Sequence, residues 1–153
     1  MEIPLNCQDV LLNGIQHVGS ASADLLPSQN FAHGARLNLT ESTLTIFVQK
    51  NFCKNVVRDS ETTKRVVFYS AVPSHEAYQV KGDVVSVAPL SEADVSESQQ
   101  YCDQVIKTLT ELGLSPDIPK KIWGRVADTG ITIELEQIFN QTPGPEAGKP
   151  ISK

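Results

Sequence analysis

The clearest candidates for chemistry are four basic residues between positions 36 and 81. Arg36, Lys50, Lys54 and Lys81 each fall on or beside a stretch with the alternating pattern of a β-strand. Basic side chains near strand ends bind phosphate through charge-assisted hydrogen bonds. The alternative is that all four are solvated surface charges. No phosphate-binding glycine loop accompanies them, so the pattern predicts a basic pocket for a small anion and nothing more specific.

The histidines and cysteines do not form a recognisable catalytic or metal-binding pattern. His17, His33 and His75 lack the spacing of a helical metal site, and we interpret them as ordinary surface or turn residues. His33 is the most interesting of them because Gly34 follows it, and glycine permits close approach of the backbone to a ligand. The three cysteines are widely spaced, which predicts neither a disulfide framework nor a zinc site. No nucleophile motif supports a hydrolase.

The composition is that of an ordinary globular protein. Of 153 residues, 40% are hydrophobic and 20% are charged, which fits a single domain over 1–153 with a loose tail from about 146. The formal net charge of -5 argues against nucleic acid or an anionic membrane as partner. No signal-like or membrane-spanning stretch is visible. We therefore expect a cytoplasmic protein with no membrane partner.

Six strands and one long amphipathic helix must position the candidate residues. The predicted strands are 16–23, 29–39 with an interruption at Gly34, 44–48, 65–72, 76–88, and 131–135 with a bulge near Gln137. The long helix spans 91–112, shorter helices are predicted at 4–13 and 51–59, and 115–121 is predicted to be a connector. This pattern favours a mainly β fold, a small antiparallel barrel with a few helices.

Alternation assigns side chains to faces in two of these strands. In the first strand it places His17, Gly19, Ala21 and Ala23 on one face, where small side chains leave room for another backbone or a flat ligand. In the fifth strand, Gln79, Lys81 and Asp83 share a face by the same period of two.

Three segments, in this order, resemble the FMN-binding split-barrel family related to pyridoxamine 5′-phosphate oxidase. They are 44–54, the strand Tyr78-Gln79-Val80-Lys81-Gly82, and the ending Ile138-Phe139-Asn140-Gln141-Thr142-Pro143-Gly144-Pro145. The likeness covers roughly 16–148. It implies a six-stranded antiparallel Greek-key split barrel, a homodimer, and FMN in a groove shared by the two subunits.

Matched by position, the resemblance also implies roles for individual residues. Arg36 corresponds to an arginine on the strand that lines the flavin, Phe47 and Val48 to backbone contacts with its ring, Lys54 to the phosphate-binding run, and Gln79 to a ring contact. With the neighbours of these positions, the predicted cofactor-binding residues are His33, Gly34, Arg36, Leu37, Phe47, Val48, Lys50, Lys54, Gln79 and Lys81.

The chain also departs from the family pattern. Cys53-Lys54-Asn55 stands where the oxidase has Ser-Arg-Lys, so the phosphate contacts should be weaker. Each lost charge-assisted bond costs about 1.5–3 kcal/mol. Nothing in 123–153 corresponds to the arm with which the oxidase handles pyridoxine phosphate, which argues against that enzyme itself. The resemblance implies an FMN-dependent oxidoreductase acting on a small molecule. The alternative is a non-enzymatic binding module of the same fold holding haem, a deazaflavin or no cofactor.

Overall fold

The computed structural model describes residues 2–151, so the last two residues of the predicted loose tail, Ser152 and Lys153, lie outside the described residues. Within this range there are eight strands and four helices. The strands are β1 (Ile15–Ala21), β2 (Pro27–Phe31), β3 (Ala35–Asn38), β4 (Thr43–Val48), β5 (Arg65–Ala71), β6 (Ala77–Pro89), β7 (Thr129–Glu134) and β8 (Gln137–Asn140). The helices are α1 (Leu5–Asn13), α2 (Lys54–Thr62), α3 (Glu92–Glu111) and α4 (Asp117–Trp123).

The predicted count of six strands is wrong because two of the predicted strands are each divided. The second one becomes β2 and β3, separated by 32–34, and the last one becomes β7 and β8, separated by Leu135 and Glu136. Both breaks fall at or beside positions predicted to be irregular. At the first break Gly34 has φ +118°, a backbone conformation that side-chain-bearing residues rarely adopt.

The first break joins the two edges of the sheet. All pairings are antiparallel, and the strand order is β2-β1-β5-β6-β7-β4-β3, with β8 beside the first half of β6. The edge strands β2 and β3 are therefore successive parts of one chain. At the crossover Ala32 N donates to Gln16 O (3.0 Å) and His33 N donates to Phe47 O (2.8 Å). Consecutive amides thus bond to opposite ends of the sheet, which brings its two edges together.

The long strand β6 pairs with three others and changes partner near Gly82. Its first half lies between β5 and β8, and its second half pairs with β7. A Cβ at Gly82 would lie 1.9 Å from the Glu134 carbonyl oxygen. Only glycine lets β6 pass this close to the junction of β7 and β8.

The main core lies inside the sheet and is covered by α1 and α2. Its largest fully buried members include Leu11, Leu44, Ile46, Phe68, Ile131, Ile133 and Ile138. A smaller cluster around Cys102, Val105 and Trp123 joins α3 and α4 to the end of β2. None of the described helices combines the length and the apolar composition needed to cross a membrane.

The predicted helices are confirmed at 4–13 and 91–112, and the predicted helix at 51–59 starts later, at Lys54. The long helix α3 begins at a capping residue, because the Ser91 hydroxyl oxygen accepts a hydrogen bond from Asp94 N (3.1 Å). The predicted connector at 115–121 is wrong, since α4 begins at Asp117. Its prolines, Pro116 and Pro119, lie at the N-cap and in the first turn, where no amide has an intrahelical acceptor to lose.

The described part of the predicted loose tail is attached to β8. Gly148 N donates to Asn140 O (2.7 Å), Asn140 N donates to Lys149 O (2.9 Å) and Ile151 N donates to Ile138 O (2.9 Å). This segment therefore satisfies backbone groups along the outer edge of β8, which would otherwise lack strand partners. The prediction of a loose tail is therefore wrong for residues 146–151, which are hydrogen-bonded in place.

Candidate ligand-binding groove

A groove of ≈ 580 Å³ lies on the outer face of β1, β2, β5 and β6. The floor of the groove consists of two rows of side chains that the strand register places next to one another. The first row is His17, Tyr69 and Gln79, and the second is Gly19, Val67 and Lys81. The volume falls within the usual range for small-molecule sites, about 300–1,000 Å³. Of the residues predicted to share one face of the first strand, His17, Gly19 and Ala21 line this groove, whereas Ala23 does not.

The groove is basic although the protein is acidic overall. Arg65 and Lys81 line it, and no lining residue is a carboxylate. Arg65 is compensated outside the groove, by Asp83 (Nη1–Oδ1 2.6 Å) and Glu136 (Nη2–Oε2 3.2 Å). The Lys81 Nζ lies 4.9 Å from the centroid of the Phe139 ring and forms no ion pair with any carboxylate of residues 2–151. Lys81 is thus left with its charge available to a ligand.

Gln79 contributes a hydrogen-bond donor beside Lys81. Its side-chain carbonyl oxygen accepts a hydrogen bond from the Gln141 amide nitrogen (3.3 Å). The Gln79 amide nitrogen is left as the polar group with which the side chain can bind a ligand in the groove.

His17 stands at one end of the first row, between two aromatic rings. Its ring centroid is 4.6 Å from that of Phe31 and 5.7 Å from that of Tyr69. Its Nδ1 is 2.9 Å from the Gln29 amide nitrogen. Burial lowers the pKa of His17 from its ordinary value, so the ring is neutral at neutral pH.

A second depression of ≈ 310 Å³ adjoins the groove and shares His17 and Gln29 with it. Phe52 and Ile122 line its far side. The Arg125 guanidinium carbon lies 4.9 Å from the Phe52 ring centroid, which places a cation at this end. Lys54, two positions after Phe52, is the exposed first residue of α2, a helix whose N-terminus has no side-chain cap.

The structure brings only some of the predicted cofactor-binding residues together. Gln79 and Lys81 line the groove. Lys50 and Lys54 are exposed residues on either side of Phe52 in the sequence. The other six predicted residues lie around the crossover between β2 and β3, away from the groove lining.

His33 and Gly34 form the crossover itself and are buried. His33 Nε2 donates to the Ile122 carbonyl (2.9 Å), and Nδ1 is buried without a hydrogen-bond partner among the described residues. Burial is the main cause that lowers the pKa of His33. A Cβ at Gly34 would lie 3.0 Å from the Phe47 ring, and Gly34 and Phe47 also line a separate pocket of ≈ 260 Å³ beside Tyr101. The glycine is thus explained by the turn and by internal packing.

Phe47 and Val48 are fully buried, and Leu37 is half-buried against the core. The Phe47 amide donates to Gly34 O (2.8 Å), and its carbonyl accepts from His33 N. The Val48 carbonyl accepts from Asp128 N (3.1 Å). The Phe47 amide and the Phe47 and Val48 carbonyls are thus hydrogen-bonded within the chain. The backbone contacts of these two residues with a flavin ring stay a prediction.

The side chain of Arg36 pairs with the long helix α3. Its guanidinium forms an ion pair with Asp94 in the first turn of α3. The Arg36 side chain remains 48% exposed, whereas that of Asp94 is 10% exposed. This contact joins the edge strand β3 to the start of α3. It gives Arg36 a role in positioning that helix.

Sequence reasoning missed His17, Gln29, Arg65 and Tyr69 as members of one site. The only sequence signal for them was the run of small residues alternating with His17 on the first strand. Tyr69 lies in the groove because β5 pairs with β1, and these two strands are far apart in the sequence. Such a pairing is not readable from local periodicity.

Comparison with known proteins supports the fold. No protein-family model matches the chain, and no curated protein matches it. Among solved structures, HupZ from Group A Streptococcus is 16% identical over 96% of this chain and 100% of its own, with a TM-score of 0.60. An F420 reductase is 14% identical over 89% and 98%, with a TM-score of 0.56. A candidate pyridoxamine 5′-phosphate oxidase from Lactobacillus delbrueckii is 16% identical over 90% and 93%, with a TM-score of 0.55.

At these identities the likeness establishes the fold. The chain has the mainly antiparallel split-barrel fold found in proteins related to pyridoxamine 5′-phosphate oxidase. The resemblance stated from the sequence is confirmed at this level.

Proposed function

We propose that the protein binds FMN in the outer-face groove and acts as an oxidoreductase on a small molecule. One observation carries the proposal: an acidic protein lines this groove with aromatic rings, an amide donor and two cations, and with no carboxylate. That donor set fits a planar, anionic ligand. The fold it shares with an F420 reductase and a candidate pyridoxamine 5′-phosphate oxidase points in the same direction.

The residues have separate tasks in this proposal. Tyr69 contacts a face of the ring, while the Gln79 amide and the Lys81 ammonium donate to its polar edge. Arg125, which lies over the Phe52 ring at the far side of the adjoining depression, attracts the phosphate, and Lys54, two positions after Phe52 in the sequence, adds a second positive charge. FMN, when bound, supplies the electron transfer. The protein supplies binding, orientation and electrostatic stabilisation.

The proposal includes a homodimer that covers the groove. The groove is open to solvent, and half-buried aromatic side chains surround it, among them Phe31, Tyr69 and Phe139. Aromatic residues on an outer sheet face are typical of a surface that another protein covers. A second copy over this face would enclose the cofactor and exclude water from the ring.

The direct test is titration of the protein with FMN, followed by flavin fluorescence, with the molar mass measured by light scattering. The wild type should bind FMN saturably as a dimer. Lys81→Gln should weaken binding about ten- to hundredfold, the equivalent of one hydrogen bond to a charged group. Lys107→Gln, on the exposed side of α3, is the matched control and should bind like the wild type.

The outcomes separate the alternatives. A folded protein that does not bind FMN at millimolar concentration contradicts the proposal, as does unchanged affinity in Lys81→Gln.

Cys53 supports the second candidate, a binding module of the same fold without FMN. It is fully buried and its thiol faces the Phe31 carbonyl (3.9 Å), so it cannot replace the serine hydroxyl of the family's phosphate run. A strong Soret band after addition of haemin, without flavin binding, would favour that module.

A further inference from the structure

We propose that His17 is the positioning residue of the groove and that it donates a hydrogen bond from Nε2 to an acceptor atom on the edge of a planar ligand. The inference rests on the proposed function and extends it to a residue outside the predicted cofactor-binding set. It concerns the ring of the ligand and is independent of where the phosphate is held.

The position of His17 is the first argument. It is the one aromatic nitrogen-bearing side chain that lines both the groove and the adjoining depression among the described residues. Contacts with Phe31 and Tyr69 fix the plane of its ring from two sides. A side chain held in this way loses little conformational freedom when it binds a ligand.

The hydrogen bond with Gln29 fixes which nitrogen carries the proton. An amide nitrogen only donates, so the Gln29 Nε2 at 2.9 Å makes His17 Nδ1 an acceptor. In the neutral ring the hydrogen then resides on Nε2. Among the described residues, no acceptor is hydrogen-bonded to that Nε2–H. It is therefore left to bind a ligand in the groove.

The groups around His17 favour its neutral form. From β5 it contacts Tyr69, and the groove that it lines also contains Arg65, Gln79 and Lys81. From β2 it meets only uncharged side chains, and no carboxylate lines the groove to stabilise an imidazolium. Burial of the ring lowers the pKa of His17. His17 is thus a neutral donor at fixed orientation.

The ligand class follows from these properties. The aromatic neighbours contact a flat ring, and the Nε2–H selects a ring whose edge carries an acceptor such as a carbonyl oxygen or an unprotonated nitrogen. The isoalloxazine ring has both kinds of acceptor. A purely hydrocarbon ring would leave the donor unsatisfied in a partly desolvated site, which costs binding free energy.

The test uses riboflavin, which has the ring without the phosphate, and measures its dissociation constant together with that of FMN. His17→Phe keeps an aromatic ring between Phe31 and Tyr69 but removes the N–H. It should weaken binding of both ligands about two- to tenfold, the range of one neutral hydrogen bond. His17→Gln, which retains an amide donor, should recover part of the loss.

The variant Gln29→Glu should change the pH dependence of riboflavin binding. That dependence would stay unchanged if His17 had only a structural role. A carboxylate accepts from Nδ1–H, so the neutral ring of His17 would lose its hydrogen at Nε2. Riboflavin binding should then weaken at pH 8 and recover as the pH falls and the ring takes up a second proton. In the wild type Nε2–H is present in both protonation states, and binding should depend little on pH over the same range.

The outcomes distinguish this inference from the proposed function. If the wild type binds neither FMN nor riboflavin, both fail. If it binds FMN but His17→Phe binds equally well and Gln29→Glu keeps the wild-type pH profile, only the role of His17 is overturned. Circular dichroism of each variant shows that it remains folded.

Discussion

Replacement of Gly82 by alanine should destabilise the protein severely, because β6 crosses the junction of β7 and β8 at this residue. The added Cβ would lie 1.9 Å from the Glu134 carbonyl oxygen, 3.0 Å from its carbonyl carbon and 3.3 Å from the Ile133 Cβ. The two nearest atoms belong to the backbone of Glu134, so rotation of a side chain cannot relieve the clash. The strands must separate by more than 1 Å before the contact exceeds even 3.0 Å.

The expected cost combines two effects. Overpacking of a tight contact costs about 1–3 kcal/mol. Separating the strands weakens ladder hydrogen bonds on either side of Gly82, and two such bonds contribute about 1–3 kcal/mol together. We expect Gly82→Ala to lower the free energy of unfolding by about 3–5 kcal/mol, a large fraction of the about 5–15 kcal/mol that holds a typical domain folded.

Urea denaturation followed by circular dichroism measures this difference directly. The matched control is Gly19→Ala, where the nearest atom to an added Cβ is the Ser28 carbonyl oxygen at 3.6 Å, an ordinary contact. Gly19→Ala should change the free energy of unfolding by no more than about 0.5–1 kcal/mol, in the stabilising direction expected for alanine in a strand. A Gly82→Ala protein within about 1 kcal/mol of the wild type would refute this reasoning about the crossing.

Two further predictions concern buried titratable groups. Burial lowers the pKa of His33, so the unfolded chain binds a proton near pH 6.5 that the folded protein accepts only at lower pH. Stability should therefore decline as the pH falls from about 7.5 to 5, and His33→Gln, which keeps a donor for the Ile122 carbonyl, should show a smaller decline by urea denaturation; equal declines would contradict this. Burial also raises the pKa of each of the three thiols to about 12, so the native protein should react with a thiol reagent at pH 8 far more slowly than the protein in urea. Rapid labelling of the native protein at Cys7, Cys53 or Cys102 would contradict the prediction of slow thiol reaction.

Much of the fold was predictable because its strands have clear periods. The alternation in β4 and β6 located both strands and assigned Gln79 and Lys81 to one face. Even the irregular positions at Gly34 and near Gln137 were visible, but whether a break ends a strand depends on which partner each half pairs with. The connector at 115–121 was misjudged because prolines indicate a loop as readily as a helix start.

The candidate site was less predictable because it depends on pairings between distant residues. The groove exists only where β1 lies beside β5 and β5 beside β6. Arg36 was assigned to the cofactor because the resemblance matches it to an arginine on the strand that lines the flavin, whereas its ion pair with Asp94 joins residues 58 positions apart. Local sequence patterns contain no information about a partner at that distance.

The most direct test of the flavin-binding groove is a map of the backbone amide chemical shifts of the protein during titration with FMN. Binding in the groove predicts saturable shifts concentrated on the outer face of β1, β5 and β6, at residues such as His17, Tyr69, Gln79 and Lys81. No saturable shift at millimolar FMN would contradict it. So would shifts centred on α3 and β3 around Arg36, with the groove unaffected.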